Sequence, residues 1–378
     1  MPEAAKGDAL MMFDRRLVQC FDWGLLGITC LLAAAGLATL YSATTAGAMT
    51  VQKTLYLKQL TWYGAGLLIM TVCFIFHYKL LDRYGLILYG LSIVLLLAVL
   101  LFGRYIAGSR RWLIMGPVSI QPSEMAKLAV IIILARYYSR HLSPTGLAFR
   151  DLIQPVMLVV PVFLLIVKQP DLGTAMLIFL IAASMTLFVK VERRTLACIT
   201  VCGAAAIPVV WLFLKGYQKQ RILTFLNPDR DPLGAGYHII QSKIAIGSGM
   251  LLGKGYQQGT QNALSFLPEQ HTDFIFSVLS EEWGFVGSAV VLSLFLLLIF
   301  WGLRIAQRSR EPFGTILAFG ITAMIFWEVF INIGMVMGLM PVVGVPLPLV
   351  SYGGSSVVTN MVGFGILMNI SMRKFTTT

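Results

Sequence analysis

Apolar runs of about 20 residues, the length an α-helix needs to cross a hydrocarbon core roughly 30 Å thick, recur from one end of this chain to the other. No soluble fold has room for so many. Lipid offers backbone N–H and C=O groups no partner, so a spanning segment satisfies them internally, and each run is predicted to be a helix. We place ten, over 21–43, 57–77, 81–103, 121–138, 151–168, 172–190, 195–215, 273–303, 313–339 and 346–370. The eighth is long enough to tilt or to project from the bilayer. Composition fits the same class: 57% hydrophobic and 12% charged residues among 378, with mean hydropathy +0.80, leave too little polar material to cover a soluble globule. The expected fold is an all-α polytopic membrane protein, one integral domain over 1–378 without internal repeats.

A net charge of +12 raises the question of nucleic acid. The basic residues form no continuous stripe, however. They sit in short turns between apolar runs, and no nucleic-acid partner is expected. Arg15, Arg16, Lys79, Arg83, Arg136, Arg140, Lys190, Arg194, Arg304, Arg308 and Arg373 all fall on one side if ten helices alternate. The positive-inside rule makes that side cytoplasmic, with both termini there. Residues 1–20 then form a cytoplasmic tail, and the first apolar run, too long for a signal-peptide core, is read as an uncleaved anchor. Cys20, Cys30, Cys73, Cys198 and Cys202 lie in or beside apolar runs, with no His or carboxylate near the Cys198 and Cys202 pair. Packing residues are expected there, not a disulfide framework or a metal site.

The loops assigned to the outer side carry most of the chemistry. One, over about 103–122, holds GSRRW (Gly108 to Trp112) and runs into QPSEMAK (Gln121 to Lys127); another is KQPDLGT, Lys168 to Thr174. The one long connection, 216–272 between the seventh and eighth spans, is rich enough in Ile, Tyr and Phe to predict interfacial helices, with Ile239, Ile240, Ile244 and Ile246 dipping toward lipid. The last is PVVGVPLPLVSYGGSS, Pro341 to Ser356. Within the long connection, GSGMLLGKG superficially resembles a phosphate loop. Gly249 and Gly253 are one residue too close, and Gly255 stands where Ser or Thr should follow Lys254, so a flexible turn is expected and no nucleotide cofactor.

Four places hold polar residues that need a reason. Asp273 stands at the doorway of the long eighth run, either capping a helix or reacting. Glu124 and Lys127, three apart, share a helix face and form either a structural salt bridge or, through Lys127 with Arg110 and Arg111, an outer cationic patch. Glu328 lies inside the ninth run and is expected to face inward and be hydrogen-bonded, since an ionised carboxylate facing lipid would cost roughly 2.5 to 3.5 kcal/mol or more. Gly334 and Gly338 give that run a small-xxx-small face, open either to internal packing or to a partner's transmembrane helix.

LPEQHTDFIF with its following SEEWG, QPSEMAKLA, QPDLGTA, DPLGAGYHIIQSKIAIGSG and PVVGVPLPLVSYGGSS resemble motifs of the SEDS family of bacterial shape, elongation, division and sporulation proteins. The resemblance covers roughly residues 104–365, and GTQNALSFLPEQHTDF and VGVPLPLVSYGGSS are closest to its rod-shape branch. It implies ten helices in the bacterial cytoplasmic membrane and polymerisation of lipid II into peptidoglycan glycan strands during elongation. It also implies a class B penicillin-binding protein as transpeptidase partner, among other elongation-complex membrane proteins. The family's catalytic aspartate aligns with Asp273, and its QPSE glutamate and lysine with Glu124 and Lys127. Arg110, Arg111, Gln169, Asp171, Arg221, Lys243, Ser351 and Tyr352, in or near the other motifs, are the further candidates for holding the substrate or its diphosphate. Glu328 departs from the family pattern.

The chemistry of such a substrate sets its own demands. A sugar carried on undecaprenyl diphosphate loses an anion that needs no protonation, so one base suffices, where a glycosidase needs two carboxylates. Asp273 would take the proton of the acceptor hydroxyl, and Arg110, Arg111 and Lys127, with Mg2+ or another divalent cation, would hold the departing diphosphate. Two other classes stay open at this point. A lipid II flippase explains the helices and the proline and glycine breaks, although its charges belong near the midplane; a non-catalytic cell-wall scaffold explains no charged cleft.

Overall fold

The computed structural model describes residues 21–45, 54–106, 109–115, 118–143, 146–213, 216–227, 234–264, 266 and 270–373. The expected cytoplasmic tail with Arg15, Arg16 and Cys20, together with Gly108, the PDRDP run 228–232, Leu267 to Glu269 and Lys374, lies outside the described residues. Three helices come first, α1 (Trp23–Thr45), α2 (Leu55–Ile75) and α3 (Lys79–Phe102), followed by α4 (Pro122–Arg140), α5 (Phe149–Lys168), α6 (Leu172–Phe188) and α7 (Arg193–Phe213). The long connection contributes α8 (Gly216–Leu226), α9 (Ala235–Ser248) and α10 (Thr260–Ala263), and the chain finishes with α11 (Ile275–Arg308), α12 (Pro312–Val336) and α13 (Gly354–Met372). All ten expected spans fall on helices, and among the described residues seven helices are long and apolar enough to cross a membrane.

The helices divide by where their apolar surface goes. α12 and α13 are buried on nearly every side and form the middle of the bundle, α12 packing on α4, α6 and α11, and α13 on α2. α2, α3, α5 and α11 instead expose large apolar side chains such as Leu68, Ile87, Met157 and Phe300 at the bundle's surface, where lipid is their natural solvent. Cys30, Cys198 and Cys202 are free and exposed on that surface, and Cys73 is free and half-buried.

Four expectations change in detail. The 103–122 loop is not wholly irregular: β1 (Arg104–Ile106), β2 (Ser109–Met115) and β3 (Val118–Ile120) form an antiparallel sheet in that order, with Arg104 opposite Trp112 and Leu113 opposite Ile120. The turn chemistry of Ala107-Gly108 and Gly116-Pro117 is the sequence signal for it. The last span starts later than expected, at Gly354, because Pro346 and Pro348 cannot donate to a helical ladder. α12 ends at Val336, where Gly338 (φ +67) closes it: its N–H bonds to the Met335 carbonyl at 3.0 Å, and the N–H of Leu339 to the Gly334 carbonyl at 2.7 Å. Gly334 and Gly338 therefore serve a helix cap packed on Met340, Lys243 and Ile239 rather than a face open to a partner. In α9, Ile239 and Ala245 turn into the protein and Ser242 bonds Ser277 (2.8 Å) and the Val336 carbonyl (2.6 Å), leaving Ile244 as the exposed member of the four isoleucines expected to meet lipid.

The glycine-rich GSGMLLGKG segment is a docked element, not a free turn. α11 breaks at Gly284 (φ 65, ψ −163), and the break exposes backbone groups that the segment satisfies. The N–H groups of Lys254 and Gly255 bond the carbonyls of Glu281 (3.0 Å) and Glu282 (3.1 Å), and those of Phe285 and Val286 bond the carbonyls of Met250 (2.8 Å) and Leu251 (3.1 Å). Close approach requires glycine. Gly253, at φ +80, has the Glu282 carbonyl where a Cβ would stand, whereas at Gly255 (φ +102) a Cβ would meet only the Gln258 side chain. Gly253→Ala is accordingly expected to combine left-handed strain of about 1 to 2 kcal/mol with overpacking of about 1 to 3 kcal/mol. Thermal unfolding in detergent should show Gly253→Ala melting well below Gly255→Ala; equal melting temperatures would mean the segment is not docked in this way.

Candidate active site

Three ionisable side chains meet inside the bundle. Lys127 Nζ on α4 lies 2.9 Å from Glu124 Oε2, one turn earlier, and donates to Glu328 Oε1 on α12. Lys127 is 1% exposed, Glu124 3% and Glu328 0%. Sequestered charges of this kind persist only when paired, and the cluster ties α4 to α12. Glu328 faces inward and is hydrogen-bonded, as expected. The outer cationic patch is corrected, because Lys127 is enclosed by two carboxylates. Arg110 and Arg111, successive residues on β2, alternate in direction: Arg110 is exposed, while Arg111 donates to the Pro170 carbonyl and lies 3.7 Å from Asp171 Oδ1.

Asp273 lies half-buried in the turn just before α11, where Phe274, not Asp273, occupies the N-cap position. Its Oδ2 is 3.2 Å from where a Cβ would stand on Gly344, which has φ +72, so the carboxyl group rests directly on the backbone of the 341–353 segment. That segment has few hydrogen bonds of its own and is held from outside. Asn332 Nδ2 donates to the carbonyls of Asp273 (3.0 Å) and Val345 (2.7 Å). Ser351 Oγ donates to the Thr272 carbonyl (2.6 Å) and accepts from Leu347 N (2.8 Å), while Tyr352 N donates to the His271 carbonyl (2.9 Å). From α2, Gln59 takes the Ser351 carbonyl (3.1 Å) and Gly353 N (3.2 Å), and the Tyr63 hydroxyl donates to the Leu349 carbonyl. Gly36 and Gly173 let α1 and α6 come against Leu349 and Val343, with 2.5 Å between each carbonyl and the space a Cβ would fill.

The other expected substrate-holding residues separate into two groups. Gln169 (1% exposed), Asp171 (1%) and Ser351 (3%) lie behind the surface and hydrogen-bond within the protein. Asp171 caps α6 through Thr174 (N at 3.3 Å, Oγ1 at 2.9 Å) and accepts from Gln121 Nε2 at 3.0 Å; Gln169 Nε2 donates to the Leu96 carbonyl at 2.9 Å. These bonds join the QPSE and QPDLGT motifs to the bundle, while Gln169 Oε1 is buried without a hydrogen-bond partner. Tyr352 is half-buried, and burial pushes its phenol up from its ordinary value. Lys243 is exposed on α9 with its chain over Gly338, and Arg221 is half-buried on α8.

Sequence reasoning passed over Asn332, Gln59 and Gly344. The two amides each stand within an apolar run, a usable signal for an interior hydrogen-bonding duty. Gly344 had no signal beyond its place in the motif. The SEEWG carboxylates were also missed: Glu281 takes Lys254 Nζ (2.7 Å), Thr260 Oγ1 (3.1 Å) and Gln261 N (3.1 Å), and Glu282 takes Ser42 and Asn262, so both anchor the long connection.

Beside α4, an apolar cavity of about 370 Å³ runs between α2, α3, α4 and α13, from His77 and Tyr78 past Leu88 and Leu95 to Met125. Met125 adjoins Glu124 in sequence, so the cavity reaches from the expected cytoplasmic turn to the helix that carries the buried ion cluster.

Comparison with known proteins gives a consistent picture. The FtsW/RodA/SpoVE family, described as cell cycle proteins, matches residues 23–375. Peptidoglycan glycosyltransferase MrdB of Escherichia coli (strain K12) is 49% identical over 311 residues, 81% of this chain and 82% of that protein. Peptidoglycan glycosyltransferase RodA of Treponema pallidum (strain Nichols) is 35% identical over 432 residues, 95% of this chain and 99% of that one. Among solved structures, a chain of a peptidoglycan synthase complex that coordinates polymerization and crosslinking superposes with a TM-score of 0.81 at 31% identity, over 94% of this chain and 99% of that one. The crystal structure of Thermus thermophilus rod shape determining protein RodA gives 0.69 at 29%, over 94% and 98%.

The ion cluster yields a stability prediction. Lys127→Met would leave Glu124 and Glu328 buried without a counter-charge, an error of about 3 to 5 kcal/mol. Glu328→Gln keeps the Glu124 pair and a hydrogen-bonding partner. Melting curves in detergent should place Lys127→Met far below both Glu328→Gln and the parent, with Lys127→Met/Glu328→Leu recovering part of the loss. A Lys127→Met protein as stable as its parent would contradict the cluster.

Proposed function

The chain belongs to the FtsW/RodA/SpoVE family of cell cycle proteins, is a peptidoglycan glycosyltransferase of the bacterial cytoplasmic membrane, and we propose that Asp273 is its general base. The observation that carries the assignment is the half-buried Asp273 carboxyl seated on Gly344, at the end of the bundle that the distribution of basic residues assigns to the outside. The acceptor hydroxyl of lipid II gives its proton to Asp273, and its oxygen bonds to the anomeric carbon of the donor. The bond from that carbon to the diphosphate oxygen breaks, and undecaprenyl diphosphate leaves with the electron pair. Direct displacement inverts the centre, as an α-linked donor and a β-linked polymer require.

Charge and shape elsewhere in the protein support the remaining roles. Arg111, Arg110, Lys243 and Arg221 are the cations offered to the diphosphate, Arg111 preorganised by Pro170 and Asp171. A divalent cation would be shared between the diphosphate and one or two protein carboxylates, the usual mode for Mg2+, rather than held in a protein cage, since among the described residues no group of three His, Cys, Asp or Glu side chains comes together. The apolar cavity between α2, α3, α4 and α13 matches the isoprenoid tail of a lipid-linked sugar. Flipping such a lipid would need charges lining a path, and the membrane-buried Glu124, Lys127 and Glu328 are sealed at 3% exposure or less. By analogy with the relative found in a synthase complex, the partner is a class B penicillin-binding protein that crosslinks the strand as it emerges.

With purified protein, labelled lipid II and polymer scored on a gel, Asp273→Asn should make no polymer while melting like its parent; near-normal polymer from it would remove the base assignment. Glu328→Gln should keep most activity. Loss as complete as that of Asp273→Asn, at normal expression, would require a second essential carboxylate. Narrowing the apolar cavity with Leu95→Trp should raise KM for lipid II several-fold and change kcat less. An unaltered KM would assign the tail another route.

A further inference from the structure

Asn332 lies one turn from the C-terminal end of α12 at 0% exposure, and both of its useful hydrogen bonds run to backbone carbonyls of the two segments that meet at the candidate base. One amide nitrogen holds Asp273 O at 3.0 Å and Val345 O at 2.7 Å. Those carbonyls flank the contact between Asp273 Oδ2 and Gly344: one belongs to the aspartate itself, the other to the residue after the glycine. The two N–H protons of the amide can each serve one acceptor, whereas a hydroxyl has one proton and an ionised carboxylate none. The opposite orientation of the amide would turn its oxygen toward two carbonyl oxygens and is excluded by repulsion.

The residue also carries a cost that simple packing would not. Asn332 Oδ1 is buried without a hydrogen-bond partner, a penalty of about 1 to 3 kcal/mol that an isosteric leucine would avoid. An interior amide kept despite an unmatched acceptor is retained for its donors. One turn earlier on the same helix, Glu328 is fixed to Lys127, so the register of Asn332 is set by the ion cluster. We propose that Asn332 is a positioning residue of the glycosyl transfer, clamping the 270–274 turn onto the 341–350 segment so that the Asp273 carboxyl is held at the Gly344 backbone. This inference rests on the reading of Asp273 as the base. Asn332 itself touches no reacting atom.

The test compares Asn332→Leu, which has the size but no donor, and Asn332→Ser, which keeps one donor, with Asp273→Asn and the parent, measuring kcat and KM for lipid II and the melting temperature of each. Misplacing a base by about 1 Å can cost on the order of 100-fold. Asn332→Leu is expected to lose about 10- to 100-fold in kcat with KM within about twofold of the parent, and Asn332→Ser to fall between. If Asn332→Leu does not fold, the serine variant carries the comparison alone, and parental kcat in it overturns the clamp. Parental kcat in a folded Asn332 variant lacking both donors, or a loss confined to KM, would overturn the clamp while an inactive Asp273→Asn leaves the base in place. Near-normal polymerisation by Asp273→Asn would overturn the base reading and with it the proposal.

Discussion

A lysine held between two glutamates inside the membrane is the joint to which the outer end of this protein is referenced. Lys127 pairs with Glu124 on its own helix and with Glu328 on α12, and neither helix can rotate or slide without separating charges that have no water to turn to. From that joint α4 delivers Gln121 to Asp171 and so fixes the start of α6. α12 delivers Asn332, one turn beyond Glu328, to the backbone of Asp273 and Val345. The reactive end is thus assembled from loops and held by side chains whose positions are set deeper in the bundle.

That arrangement resolves a tension in the chemistry. A base that must accept a proton from a sugar hydroxyl has to be reachable from the outer surface, and exposed loops are poor at holding a carboxyl group to within a fraction of an ångström. Here the 341–353 segment, with three prolines and two glycines, is bound at Val345, Leu349, Ser351, Tyr352 and Gly353 by α2, by α12 and by the 271–273 turn. Buried donors at fixed positions cost no reorganisation when the reaction occurs. Gly344 contributes by absence of a side chain, letting the Asp273 carboxyl reach the backbone.

Most of the architecture was legible in the sequence, because twenty-residue apolar runs have one structural solution in lipid. Inward burial of Glu328 followed from the same desolvation argument. What was not legible depended on partners distant in the chain. The place of Lys127 was misread because helix topology alone puts it near the outer side, and only the position of Glu328, 201 residues away, reveals that its charge is already matched. The GSGMLLGKG segment read as a turn, since nothing local announces that α11 breaks at Gly284 and offers it four backbone partners. The polar residues of QPDLGT and the serine of LVSYGG carry interior hydrogen bonds, which a motif cannot distinguish from ligand contacts.

The central claim, that Asp273 takes the acceptor proton on a platform built by the 341–353 segment, is tested most directly by locating that proton's oxygen. The Asp273→Asn protein bound to lipid II, imaged by cryo-electron microscopy, should place the acceptor hydroxyl within hydrogen-bond reach, roughly 2.6 to 3.2 Å, of the side chain at position 273, with the diphosphate toward Arg111. An acceptor hydroxyl bound instead at Glu281 or Glu282, or at any carboxylate other than that of position 273, would contradict the account.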